Sequence, residues 1–121
     1  MGNPAGDKPF DLEERTELFA KQVRGFLRTI PRTIANQEDG RQLIKSSGSV
    51  GANYIEAQEA LSKKDFRMRI RISRKESKES GYWLRLLELE GKHELIAQRD
   101  RLVSETNELI RIFTAILKKI E

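Results

Sequence analysis

Apolar residues recur at alternating spacings of three and four along four segments of this chain, which predicts four amphipathic α-helices. Capping and breaking residues indicate the ends of these helices. The first helix follows the cap Asp11 and stops at Pro31, and the second runs from between Asn36 and Gly40 to about Ala60. The third helix follows the cap Ser62 and stops near Gly91, and the fourth starts near Glu94. Short connections between them predict an all-α fold, an antiparallel up-down-up-down left-handed four-helix bundle.

The bundle is predicted to occupy residues 11–121, preceded by a flexible N-terminal arm. Residues 1–10 hold two prolines and two glycines and have no helical period. No secretory signal and no apolar run of about 20 residues is present, so no membrane partner is expected. The chain has no cysteine, which is compatible with a reducing cytosol, and we expect a cytoplasmic protein.

Small residues on the inward faces of the second and third helices predict close packing between helices. Gly48 and Gly51 lie inside the second helix, where each costs about 1 kcal/mol of helix propensity relative to alanine. The inward face of the third helix carries three serines, which are Ser73, Ser77 and Ser80. With Ser47, these glycines and serines predict tight contact between the second and third helices.

The third helix has a basic ridge on one side. Eight basic and three acidic residues lie between positions 62 and 80. The helical period places six basic residues in one arc beside the core-facing stripe, and these residues define the basic ridge: Lys64, Arg67, Arg71, Arg74, Lys78 and Arg85. Lys21, Arg24 and Arg28 in the first helix, with Arg32 after them, add a possible second basic line.

Two interpretations of the basic ridge remain open. It binds the phosphate backbone of RNA or DNA without reading base sequence, or it is a solvated or protein-binding face of an interaction module. Tyr82, beside the ridge, could stack on a base or lie in a subunit contact. The predicted subunit contacts are Ile44, Gly48, Gly51, Ile55 and Tyr82.

Residues that could support catalysis are few. The single histidine, His93, lies near a helix end and has no second histidine at a metal-binding spacing. No phosphate-binding glycine loop is present, so we predict no enzyme activity, no metal and no cofactor. Asn53 and Glu56 lie at the edge of the second helix's inward stripe. We interpret them as structural polar residues that form hydrogen bonds between helices rather than as a general base or metal ligand.

One stretch of the second helix resembles a known family. It contains Gln42-Leu43, then Ser46, then the run from Ser49 to Ala57, which reads SVGANYIEA. Residues 62–66 (SKKDF), 74–76 (RKE) and 82–84 (YWL) follow in the same order. Together they resemble the bacterial family of 23S rRNA intervening-sequence proteins, to which the Avd accessory protein of diversity-generating retroelements is related.

The resemblance implies a four-helix bundle that assembles into a ring-like homopentamer. In the accessory-protein branch the resemblance also implies a basic surface that binds both nucleic acid and a partner protein, a reverse transcriptase. It implies no enzymatic activity. The expected function is therefore that of a homo-oligomeric accessory protein that binds RNA or DNA, with a protein-interaction or scaffold module as the alternative.

Overall fold

A computed structural model describes residues 11–120 of the chain, which form four α-helices. They are α1 (Leu12–Leu27), α2 (Ile34–Gln58), α3 (Lys63–Leu86) and α4 (His93–Lys119). Each helix packs against the next, and α1 also contacts α4, whereas α1 does not contact α3. These contacts place α1 and α3 at diagonal positions and confirm the predicted all-α four-helix bundle. The predicted arm, residues 1–10, lies outside the described residues.

Side-chain caps set the starts of three helices. Asp11 accepts a hydrogen bond from the amide of Glu14, and Ser62 accepts one from the amide of Asp65, as predicted. The predicted start of α2, between Asn36 and Gly40, is too late. Thr33 caps that helix by accepting a hydrogen bond from the Asn36 amide at 3.0 Å, so α2 begins at Ile34.

The third helix ends earlier than its sequence predicts, at Leu86 rather than near Gly91. Glu88 is held outside the helix by the buried side chain of Asn36. Asn36 Oδ1 accepts from the Glu88 amide at 2.8 Å, and Asn36 Nδ2 donates to the Glu88 carbonyl at 2.9 Å. Gly91 instead takes a positive φ of 68° in the turn before α4. His93 is the first residue of α4 rather than a residue near the end of α3.

Most apolar residues of the predicted stripes are buried in the core, and a few are partly or fully exposed. Phe19, Leu43, Ile70, Leu84 and Phe113 are fully buried, and each comes from a stripe that the spacing identified. Leu61 is fully exposed because α2 ends at Gln58, before the stripe reaches it. In α4, Leu117 is buried, whereas Ile116 is only partly buried against the core.

The contact between α2 and α3 is close and polar. The Ser46 and Ser80 hydroxyls are 2.8 Å apart, and the Ser73 hydroxyl donates to the Val50 carbonyl at 2.9 Å. These serines are almost completely buried. The predicted tight packing through serines is therefore confirmed, and the cross-helix hydrogen bonds fix the register of α2 against α3.

The glycines of α2 serve a different contact from the predicted one. A Cβ atom on Gly51 would lie 2.7 Å from Thr16 Oγ1 and 3.2 Å from Thr16 Cβ, so this glycine lets α1 approach α2. A Cβ on Gly48 would lie 3.6 Å from a guanidinium nitrogen of Arg24, also in α1. Both glycines thus face α1 of the same chain, rather than α3.

Between residues 11 and 120, no helix is long and apolar enough to cross a membrane.

Candidate nucleic-acid interface

The basic ridge lies along α3 on the side that faces α4. Arg74 donates to the Thr114 hydroxyl of α4 at 3.3 Å, which shows that the ridge lies beside α4. Lys64, Arg71, Lys78 and Arg85 are exposed, whereas Arg67 and Arg74 are half-buried. The four exposed residues are seven positions apart, so successive charges are about 10.5 Å apart along the helix axis.

No residue of the basic ridge forms a salt bridge with a carboxylate in the described part of the chain. Six salt bridges form elsewhere in residues 11–120, from Arg15, Lys21, Lys75, Lys92, Arg99 and Arg111. Other exposed cations, such as Lys45 and Lys119, also form no salt bridge, so the ridge is distinguished by the alignment of six such cations along one side of one helix. The ridge therefore presents uncompensated positive charge to whatever lies against it.

Glu76 of α3 lies away from the ridge, on the side toward α2, whereas Glu79 is exposed on the outer face of the helix. Burial raises the pKa of Glu76, the nearby Glu79 raises it further, and Lys75 opposes both effects. On the same side Arg69 donates to Asn53 Oδ1 of α2 at 3.0 Å. These carboxylates therefore lie off the basic ridge, but Arg69 and Lys75 place positive charge beside them, so the charges of α3 are not fully separated by sign.

The predicted second basic line does not extend the basic ridge. Arg24 and Arg28 line a groove of about 520 Å³ between α1 and α2, together with Arg32, Arg41 and Ile44. Because α1 and α3 are diagonal, this groove and the basic ridge lie on different sides of the bundle. Arg41 was not among the predicted residues, although it lies three positions before Ile44 and seven before Gly48 on the same face of α2.

Lys21 contributes to neither surface. It forms a salt bridge with Glu17 at 3.0 Å and lines a separate cleft between α1 and α4. Across that cleft Arg15 binds Glu105 through two hydrogen bonds of 2.7 and 2.9 Å. The hydrogen bond to Glu105 raises the pKa of Arg15 and more than offsets the effect of burial.

The two predicted structural polar residues have different environments. Asn53 accepts the hydrogen bond from Arg69 and donates to the Ser49 carbonyl and hydroxyl, so it connects α2 to α3 as predicted. Glu56 is exposed, and its carboxylate forms no hydrogen bond or salt bridge with residues 11–120. The prediction for Glu56 is wrong because its exposed side chain bonds to neither neighbouring helix.

The predicted subunit contacts do not form one surface. Ile44 and Ile55 are 39% and 44% exposed on α2, and Gly48 and Gly51 between them are half-buried against α1. Tyr82 is 49% exposed and lies on α3. The described residues also contain no group of three or more histidine, aspartate or glutamate side chains arranged to hold a metal ion.

The fold and this surface define a class of small helical-bundle proteins with one strongly basic helix. The chain belongs to the 23S rRNA-intervening sequence protein family, whose model matches residues 10–115. This match confirms the family predicted from the SVGANYIEA run and the motifs after it.

A crystal structure from Bacteroides thetaiotaomicron VPI-5482 has a similar fold. It is described as a protein of unknown function from the S23 ribosomal protein family, and it is 25% identical to this chain. The similarity has a TM-score of 0.72 and covers 88% of this chain and 97% of that one. No curated protein gives a significant match.

Proposed function

We propose that this chain is a non-enzymatic accessory protein that binds nucleic acid through the basic ridge. The observation that carries the proposal is that six cations follow one side of α3 and have no carboxylate partner in residues 11–120. Unpaired like charges repel each other, and a phosphate backbone removes that repulsion while releasing condensed counterions. RNA is the first ligand to test, since the family name refers to 23S rRNA.

The length and one-sided arrangement of the basic ridge indicate the kind of binding to expect. Lys64 and Arg85 are 21 positions apart on α3, which is about 31 Å along the axis at 1.5 Å per residue. The six side chains point from one helix toward one side, so they contact a backbone without entering a groove to read base edges. We therefore expect binding that depends strongly on salt and weakly on base sequence.

Charge reversal at two exposed positions tests this proposal. Arg71→Glu with Lys78→Glu should weaken binding to a labelled RNA at least 30-fold at 50 mM salt. The slope of log K against log salt should also fall by about two, because two phosphate contacts are lost. Fluorescence anisotropy across a salt series measures both quantities, and circular dichroism should show unchanged helix content because both side chains are exposed.

Lys45→Glu with Lys119→Glu is the matched control. Both lysines are exposed outside the ridge and form no salt bridge within the described chain, so the net charge changes by the same amount. This control should weaken binding only a few-fold. Equal losses in both double variants would show that net charge, rather than the ridge, governs binding, and unchanged binding in the ridge variant would refute the proposal.

We also propose that the chain works as a homo-oligomer, with a pentamer as the form that the family resemblance implies. Ile44 and Ile55 support this proposal because they are partly exposed and aligned on one face of α2, and Ile44 also lines the arginine-lined groove. Light scattering tests it. A mass near five times 14.0 kDa is expected, and a monomeric mass at micromolar concentration would refute self-association.

The Ile44 side of the bundle also supports a second function, that of a protein-interaction module. Its arginine-lined groove combines apolar side chains with positive charge. Such a surface fits an acidic protein partner better than it fits a phosphate backbone. A reverse transcriptase is the partner that the accessory-protein branch suggests. Under this alternative, charge reversal at Arg28 and Arg41 disrupts the protein complex, whereas reversal at Arg71 and Lys78 does not.

A further inference from the structure

An exposed aromatic ring lies directly beside the basic ridge. Tyr82 is 49% exposed, and Trp83 contacts it edge-on, with ring centroids 5.0 Å apart and planes 68° apart. This contact with a partly buried tryptophan restrains the tyrosine ring while leaving a large part of it open to solvent. A restrained, exposed ring loses little entropy when a second flat group stacks on it.

Cations lie on both sides of Tyr82 along the helix. Lys78 is four residues before it and Arg85 three residues after it, so all three side chains share one side of α3. Partly exposed apolar side chains continue on the same side at Met68 and Leu86, which are 45% and 42% exposed. A row of cations and a row of apolar or aromatic side chains thus run in parallel along the helix.

We infer that the basic ridge binds single-stranded nucleic acid, with the phosphates on the row from Lys64 to Arg85 and a base stacked on Tyr82. This inference rests on the proposed function and specifies its ligand. The bases of a duplex are stacked on one another, so a duplex offers Tyr82 no open base face and the apolar row would remain unused. A single strand presents phosphates and base faces together, and proteins that bind single strands combine basic surfaces with aromatic rings.

A second copy of the chain fits this surface less well. Lys75 and Glu79 are both exposed and interrupt the row of Met68, Tyr82 and Leu86, so the apolar area is not continuous. Central regions of subunit contacts contain few charged residues. Covering Tyr82 would also bring Lys78 and Arg85 into the contact, where cations without a carboxylate partner are costly.

Substitution of Tyr82 separates single-strand binding from general attraction to phosphate. We expect Tyr82→Ala to weaken binding to 12-nucleotide oligouridine and oligothymidine about fivefold or more. Binding to a 12-base-pair duplex should change less than twofold, and Tyr82→Phe should resemble the parent protein with every ligand. Anisotropy titrations at one salt concentration measure these affinities, and circular dichroism checks that each variant folds.

Trp83 provides an independent signal, since it is the single tryptophan of the chain. Its emission should change when a single strand binds the parent protein and remain nearly constant when the duplex binds. Losing the Tyr82 ring should remove most of the change caused by the single strand, because that ring connects the base to Trp83.

Three results would overturn the inference. The first is an equal loss of single-strand and duplex binding in Tyr82→Ala, and the second is no loss in either. The third is a fall in the assembly mass of Tyr82→Ala, which would assign Tyr82 to a subunit contact. The Arg71→Glu and Lys78→Glu double variant distinguishes failure of the single-strand inference from failure of the proposed function. If it weakens binding while Tyr82→Ala does not, the proposed function stands and the single-strand inference fails.

Discussion

We expect Ser73→Leu to lower the free energy of unfolding by about 3 kcal/mol or more, although position 73 belongs to the core-facing stripe. Ser73 is fully buried, and its hydroxyl reaches the Val50 carbonyl of α2 at 2.9 Å. Its own carbonyl accepts from the Ser77 hydroxyl at 2.9 Å. The space beyond its Cβ is therefore filled by the backbone of α2, and three added carbon atoms must push the two helices apart.

Urea unfolding monitored by circular dichroism measures this effect. Ser73→Ala is the matched control, since it removes the hydrogen bond without adding volume, and it should cost about 1 kcal/mol or less. A leucine variant as stable as the parent would contradict the close approach of α2 and α3. A loss as large in the alanine variant would assign the effect to the hydrogen bond rather than to packing.

The apolar spacing predicted which residues face inward but not which helix each of them meets. Spacings of three and four identify one side of a helix, and in a four-helix bundle that side lies against two neighbours. Serines of α2 and of α3 lie in the contact between these two helices, as predicted. Gly51 of α2 instead lies against Thr16 of α1. The choice between neighbours depends on the rotation of α2 about its axis, which one sequence does not determine.

The basic ridge could be predicted for a related reason. Its six residues belong to one helix, so the helical period alone places them together. The arginine-lined groove combines Arg24 of α1 and the C-cap residue Arg28 with Arg41 of α2, and its formation depends on the contact between two helices. The sequence therefore predicted the basic ridge, which belongs to one helix. It did not predict that Arg41 joins the groove, because that groove lies between two helices.

Two of the three helix starts that a local cap determines were predicted, whereas the cap Thr33 of α2 was missed. Asp11 and Ser62 each bond to an amide three residues later, which sequence patterns can reveal. The end of α3 depends on Asn36, which is 52 residues away from Glu88. No local pattern around residues 86–91 indicates that contact, and Gly91 is a plausible helix stop, so the predicted end was too late.

Asn36 is expected to hold the two turns at one end of the bundle together, and Asn36→Ala should lower the free energy of unfolding by about 3 kcal/mol. The side chain is 3% exposed and connects the Pro31 carbonyl to both backbone groups of Glu88. Alanine leaves these groups without their partner in a largely buried position. Faster hydrogen exchange at the Glu88 amide should accompany the loss, and an unchanged exchange rate would contradict this role.

Asn36→Asp distinguishes the hydrogen-bond donor from the acceptor. Aspartate keeps an oxygen for the Glu88 amide but places carboxylate charge against the Pro31 and Glu88 carbonyls, which Asn36 Nδ2 contacts at 2.9 Å each. Repulsion from these oxygens and burial raise the pKa of the new carboxyl group above its unfolded value, so the folded state favours its protonated form. The variant should therefore be closest to the parent at acidic pH and lose stability relative to it as the pH rises through the folded pKa. A stability difference from the parent that stays constant between pH 3 and pH 8 would show that the lost donor, rather than the charge, governs this position.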